Sequence, residues 1–207
     1  MTQSVLPSAL SRVILASGSQ TRADMLRNAG LDFTVQPASV DEDEIKQSLI
    51  TEGISPHEIA EVLAELKARA VSSSQPDALV IGADQLLVKD GHVFSKATNR
   101  GDAEITLAAF SGGEHTLISA IVIYQNGQAI WRVFDQAKLT VRPLSETFIQ
   151  RYLDALADDA YWSVGCYQLE GLGSQLFTKI EGDYFTVLGL PLFPLLDFLR
   201  RHGHMPI

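Results

Sequence analysis

The chain has one cysteine, Cys166, in 207 residues. No intrachain disulfide can form, so the apolar core must supply the stability, and a reducing, cytoplasmic location is the expectation. Basic residues are also scarce, with 16 Lys and Arg against 25 Asp and Glu and a net charge of −9. A duplex or RNA surface needs a dense basic stripe, so nucleic acid is excluded as the expected partner, and any anion bound must be small and locally gripped. No apolar run approaches the roughly 20 residues that cross a bilayer. The opening "MTQSVLPSALSR" has no basic segment followed by a long apolar one, so no membrane partner or cleaved leader is expected. Repeats and low-complexity tracts are missing as well. What remains is a 46% hydrophobic chain, long enough for a sizeable core and read as one domain over 1–207.

Short β-branched runs alternate with helical periodicity. "RVILAS" (12–17) predicts a strand, "TRADMLRNAG" (21–30) a helix closed by Gly30, and "DFTVQP" (32–37) a second strand. The acidic "SVDEDEI" (39–45) reads as a loop. Ser55, Pro56 and Glu58 stand at N-cap, N1 and N3 of a helix running to about Ser72, with Ile59, Val62, Leu63, Leu66 and Ala70 on its apolar face. "DALVIGAD" (77–84) reads as a buried strand that delivers Asp84 at its carboxyl end. Asp90-Gly91 and Asn126-Gly127 mark hairpins. Helices are predicted over 102–110, 145–156 and 190–203, the last despite Pro194, and a strand over 173–180. Together these elements indicate an α/β (mixed α+β) protein with a mixed sheet, in which ligands sit at the carboxyl ends of strands.

Several side chains carry two readings. In "LASGSQTR" (15–22), Ser17 or Ser19 can cap the following helix. The same unpaired N–H groups, with Gly18 allowing close approach and Arg22 adding a charged fork, can equally bind a phosphate. The run Asp41 to Glu44 suits a solvated loop or a magnesium site. Asp84, flanked by Gly82 and Ala83, small residues that leave room for a ligand, is a turn residue or a catalytic carboxylate. Lys67, with Leu63, Ala64 and Val71 as helical neighbours, lacks a local acidic partner, and Lys96 in "FSKAT" is equally open. His202 and His204 lack a third ligand nearby, and Cys166 reads as a small packed residue.

Taken in order, "LASGSQTR", "VDE" (40–42), "LAELKARA" (63–70), "IGADQ" (81–85), "FSKA" (94–97), "FSGGEHTLISAI" (110–121), "GCYQLEGLG" (165–173) and "IEGDYFTVLGLPL" (180–192) resemble the Maf family of nucleoside triphosphate pyrophosphatases. That family belongs to a house-cleaning group that also holds the inosine triphosphate pyrophosphatases. The resemblance implies a twisted mixed sheet flanked by helices, with a cleft between two lobes. It implies hydrolysis of a nucleoside triphosphate to monophosphate and pyrophosphate with Mg2+ or Mn2+, removing modified or noncanonical nucleotides. By the same resemblance Asp84 is the general base, Glu42 and Asp84 hold the metal, and Arg22, Lys67, Lys96 and Ser17 grip the phosphates. A homodimer is implied too. The family's association with septum formation and division arrest implies an alternative role as a nucleotide-binding regulator.

The chain departs from the family pattern in ways that bear on the base. It has Thr21 where many members have a second arginine, Gln85 where they have threonine, and Glu170 where they have glutamine. A Gln amide suits uracil or thymine, the substrates (UTP, dTTP) of the alternative pyrimidine reading. An ionised Glu accepts only, and guanine supplies two donors, N1–H and the 2-amino group. Gln85 and Glu170 together resemble the branch acting on 7-methyl-GTP, whereas that branch has an aromatic residue at the Thr21 position. Ser163-Val164 replaces a common Lys-Ala pair, and Ala97 a common proline.

Overall fold

A computed structural model describes residues 11–206; residues 1–10, on which most of the expectation about a leader rests, lie outside the described residues. Among the described residues seven strands form one mixed sheet: β1 (Val13–Leu15), β2 (Thr34–Val35), β3 (Leu79–Lys89), β4 (His92–Phe94), β5 (Glu114–Gln125), β6 (Gln128–Val141) and β7 (Phe177–Glu181). The order across it is β2-β1-β3-β5-β6-β7, with β4 paired to β3. Only β1 pairs in parallel, with β2 and β3; the other pairings are antiparallel. Both dipeptide turns close hairpins with positive φ at each residue, 51° and 78° at Asp90-Gly91 and 52° and 74° at Asn126-Gly127, which is the type I′ geometry their chemistry favours.

The helices are α1 (Gln20–Asn28), α2 (Glu42–Thr51), α3 (Pro56–Ser72), α4 (Arg100–Phe110), α5 (Glu146–Leu156), α6 (Tyr184–Val187) and α7 (Leu192–Arg201). Strand alternation sends Val13, Leu15, Ile81 and Ala83 to the face covered by α1 and α7, and Ile14, Ala16 and Val80 to the face covered by α3. A second core lies further along the α1 face, where Leu87, Leu117, Leu139 and Val141 pack under α4 and α5.

A polar seam divides the two cores on that face. Gln85, Ser119 and Asp135 stand in register across three adjacent strands. Thr186 closes the seam from α6: its hydroxyl donates to Asp135 Oδ2 at 2.7 Å, and its carbonyl accepts from Ser119 Oγ at 2.9 Å. The two lobes therefore share one sheet but not one core.

Four local expectations need correction. The acidic run is not a loop: Asp41 caps α2, accepting from Glu44 N–H at 3.1 Å, and Glu42, Asp43 and Glu44 fill the first turn, where the helix dipole favours carboxylates. Asp84 does not end a strand, because β3 runs unbroken from Leu79 to Lys89. The strand expected over 173–180 is shorter, since Leu172–Leu176 form a 3-10 turn before β7. Gly82 does not leave room for a ligand. A Cβ there would stand 2.1 Å from the Ala64 carbonyl oxygen and 2.7 Å from the Ala68 nitrogen, so its bareness admits the backbone of α3. Pro194 is tolerated because it falls in the first turn of α7, where its missing N–H has no intrahelical partner to lose. Among the described residues no helix is long and apolar enough to cross a membrane.

Candidate active site

The site forms where the sheet splits. On one edge of β3, β1 pairs with residues 79–81 and β4 with 87–89, leaving 82–86 without a ladder partner there. Asp84 and Gln85 sit in this window, on opposite faces of the strand. The corner between β1 and α1 fills it. Ala16 N–H still bonds Ile81 O at 2.8 Å, and Ser19 caps α1 by accepting from Arg22 N–H at 3.3 Å. Ser17 Oγ accepts from Ser19 N–H at 3.3 Å and from Arg22 Nη1 at 3.1 Å. Capping thus falls to Ser19, leaving Ser17 to orient the arginine.

Arg22 is buried and ties three segments together. Its Nε donates to Gly189 O at 2.8 Å and its Nη1 to Ala83 O at 3.1 Å, in addition to Ser17. No hydrogen bond among the described residues uses Nη2, so part of the guanidinium fork is free for an anion. Burial lowers its pKa from the usual arginine range, opposed by the charges of Asp84 and Glu42.

Lys67 has acidic partners after all, supplied by other elements. Its Nζ stands 2.7 Å from Asp84 Oδ1 and 2.8 Å from Glu42 Oε2. Lys67 and Asp84 are buried, at 6% and 5% exposure. The capped start of α2 brings in the more open Glu42 carboxylate. Burial raises the Asp84 pKa; the Lys67 and Arg22 cations pull it down, and Glu42 pushes it up again. Lys96 lies exposed in the loop after β4. Its charge reaches Asp43, whose pKa is lowered chiefly by its 2.7 Å hydrogen bond from Lys46 and that cation's charge. Asp84, Glu42 and Lys67 are therefore in contact and Arg22 and Ser17 adjoin them, whereas exposed Lys96 is not brought into contact with them and its charge is felt at Asp43.

Thr21, Gln85 and Glu170 come together on the other face, lining one cleft of about 60 Å3 with Ser163, Val164 and Tyr167. The Gln85 amide nitrogen is occupied, sharing its protons among Ser119 Oγ, Thr186 O and Val187 O, each at 3.0 Å. Its carbonyl oxygen is the group left to a ligand. Glu170 is exposed and makes no ion pair or hydrogen bond among the described residues. The loop that carries it is anchored from below. Ser163 Oγ donates to Tyr167 O at 2.6 Å and accepts from Tyr167 N–H at 3.0 Å, and Tyr152 donates to the Cys166 carbonyl at 3.1 Å. The Tyr167 hydroxyl meets buried His115 Nε2 at 2.7 Å. Burial, helped by the Lys89 charge, lowers the His115 pKa to about 4.

Sequence reasoning missed Ser119, Asp135 and Thr186, which fix Gln85. The available signal was one serine inside the otherwise apolar "LISAIVIY" (117–124). Cys166 is buried, as read, and burial raises its thiol pKa to about 11. His202 is also engaged in packing, its ring stacked on Phe198 at 4.0 Å.

A mixed sheet split around a buried Lys–Asp pair, with a second carboxylate and an arginine-bearing helix start beside it, defines an α/β protein with a cluster of charged side chains in the gap of its sheet. The chain belongs to the Maf family: a family model described as "Maf-like protein" matches residues 12–202. It is 50% identical over 192 residues to a nucleoside triphosphate pyrophosphatase of Paramagnetospirillum magneticum, covering 93% of this chain and 99% of that one. It is 48% identical over 198 residues to a protein of the same name from Caulobacter vibrioides, covering 96% and 99%. It is also 48% identical over 191 residues to a 7-methyl-GTP pyrophosphatase of Rhizobium meliloti, covering 92% and 96%.

Proposed function

We propose that the protein hydrolyses a nucleoside triphosphate between its α- and β-phosphates, yielding monophosphate and pyrophosphate with Mg2+ or Mn2+, and that it prefers a guanine-type base such as that of 7-methyl-GTP. The observation that carries this reading is the buried Lys67 ammonium held between Asp84 and Glu42 beside the Arg22 corner. The donor set fits a hard divalent ion: both carboxylates offer oxygen, and such ions complete their shell with water and phosphate oxygens rather than a closed protein cage. Glu42 and Asp84 would hold the ion, which when bound supplies charge neutralisation at the phosphates.

Asp84 takes the proton of the attacking water. Burial raises its pKa, which strengthens it as a base, and the Lys67 and Arg22 charges oppose that rise. Arg22 Nη2, the free N–H groups at the start of α1 and exposed Lys96 grip the phosphates. These cations act on charge that builds on the departing pyrophosphate, where fixed donors lower the barrier most.

The base preference follows from what the cleft lacks. The Gln85 amide nitrogen is already engaged, so Gln85 and Glu170 both present acceptors. Guanine answers with two adjacent donors, whereas uracil and thymine require one donor and one acceptor from the protein.

Pyrophosphate release from a nucleotide panel tests the proposal. GTP and 7-methyl-GTP should be the best substrates, and Asp84→Asn should abolish turnover while leaving the circular dichroism spectrum unchanged. Tight binding without release from any triphosphate would replace the enzyme with a nucleotide-binding regulator. A preference for UTP or dTTP would overturn the base assignment, and an active Asp84→Asn would overturn the general base.

A further inference from the structure

Beside the base cleft lies a second, larger hollow of about 530 Å3, walled by Met25, Tyr184, Phe185, Leu192, Phe193 and Leu196. Thr21, Glu170 and Leu188 line both spaces, so the hollow adjoins the base cleft across these three side chains. Its rings are ordered edge to face: Phe185 meets Phe193 at 5.3 Å and 88°, and Tyr184 meets Phe185 at 5.6 Å and 74°. Yet Phe193 remains 61% exposed and Tyr184 47%. Two aromatic rings are held in fixed positions with a face each toward water, although nothing in the phosphate or base chemistry uses them. The short Thr21 side chain stands at the partition, where a bulky ring would narrow the passage.

We propose that this hollow is a subsite for an apolar, ring-sized substituent on the 2-amino nitrogen of a guanine nucleotide. The inference rests on the reading above that Glu170 accepts from guanine N1–H and the 2-amino group. Glu170 lines both spaces, so an atom paired with it lies next to the hollow. A 2-amino nitrogen carrying one substituent keeps one N–H for Glu170 and directs the substituent onward among the rings. A group on N7 leaves from the opposite edge of the purine and does not reach the hollow along this route. The substrate class is thus N2-alkylated or N2-arylated guanine triphosphates, bulkier than a methylated base.

The test compares kcat/KM for GTP and N2-benzyl-GTP by pyrophosphate release, in the wild-type protein and in Phe193→Ser and Tyr184→Ser. Burying one phenyl group predicts a roughly tenfold or greater preference for N2-benzyl-GTP. Each substitution should erase most of that preference while leaving GTP hydrolysis unchanged; both side chains are largely exposed, which makes the variants tolerable to the fold. Rejection of N2-benzyl-GTP, equal use of both nucleotides, or a preference that survives both substitutions overturns the subsite. Failure of the underlying base reading looks different: UTP or dTTP then outperforms GTP itself, and the subsite falls with its premise.

Discussion

Gly82→Ala is the sharpest test of how the fold builds its site, because one methyl group is asked to enter the seam between β3 and α3. The new Cβ would stand 2.1 Å from the Ala64 carbonyl oxygen, 2.7 Å from the Ala68 nitrogen and 2.8 Å from the Ala68 Cβ. Two of these three are backbone atoms of a 17-residue helix, so no side chain can swing aside. Ordinary contact begins at 3.4 Å, and reaching it from 2.1 Å requires α3 to retreat by about 1.3 Å. Overpacking of this kind costs about 1–3 kcal/mol, or roughly 2–12 °C in Tm for a chain of this length. Lys67 lies between Ala64 and Ala68 on the displaced turn and draws away from Asp84 with it. Misplacement by an ångström can cost about a hundredfold in rate. Thermal unfolding by circular dichroism gives the first quantity, and kcat for pyrophosphate release well below Tm gives the second. Gly113→Ala is the control: its Cβ would meet the flexible end of Lys89 at 3.2–3.3 Å, and it should be close to neutral in both assays. A Gly82→Ala protein within 0.5 kcal/mol of wild type and fully active would refute the close approach of α3 as the device that seats Lys67.

Two further outcomes follow from buried polar groups. His115 is neutral in the fold with its pKa lowered to about 4, against about 6.5 in the unfolded chain. Stability from this group is complete above about pH 6.5 and is lost as the pH falls toward 4, a span worth on the order of 3 kcal/mol. Urea titrations at pH 7 and pH 4.5 should show that loss in the wild type and a smaller one in His115→Gln, and equal losses would refute it. Arg22→Lys keeps the charge but cannot bond Gly189 O, Ser17 Oγ and Ala83 O in one planar fork. It should cost about 1–3 kcal/mol in denaturant unfolding and raise KM for the nucleotide, and a variant of wild-type stability and KM would show that the fork is dispensable.

The features legible in the sequence were those whose causes are local. Ser55, Pro56 and Glu58 announced a helix start because cap, ring and carboxylate act within one turn, and the Ser55 N–H does bond Glu58 at 3.2 Å. Asp90-Gly91 and Asn126-Gly127 announced hairpins because only such residues accept positive φ cheaply. The losses came where distant segments decide. The four acids at 41–44 read as solvated loop because their charge hides the helix they begin, and the cap that starts it also aims Glu42 at Lys67. Lys67 looked unpartnered because its partners lie 17 and 25 positions away in the chain. Asp84 was sought at a strand end because ligands gather there, yet the opening is in the ladder beside it. The candidate site residues were named through family resemblance; that Lys67 contacts both Glu42 and Asp84 is visible only in the structure.

The polar seam of Gln85, Ser119, Asp135 and Thr186 also partitions the freedom of the sequence to change. Side chains of the core under α1 and α7 belong to a different packed cluster from those under α4 and α5, so a volume lost in one need not be made good in the other. The half beneath the β1–α1 corner can stay fixed while the half behind the cleft of Gln85 and Glu170 drifts. The lining of that cleft can therefore diverge among descendants of this chain without disturbing the contacts of Lys67, Asp84 and Glu42.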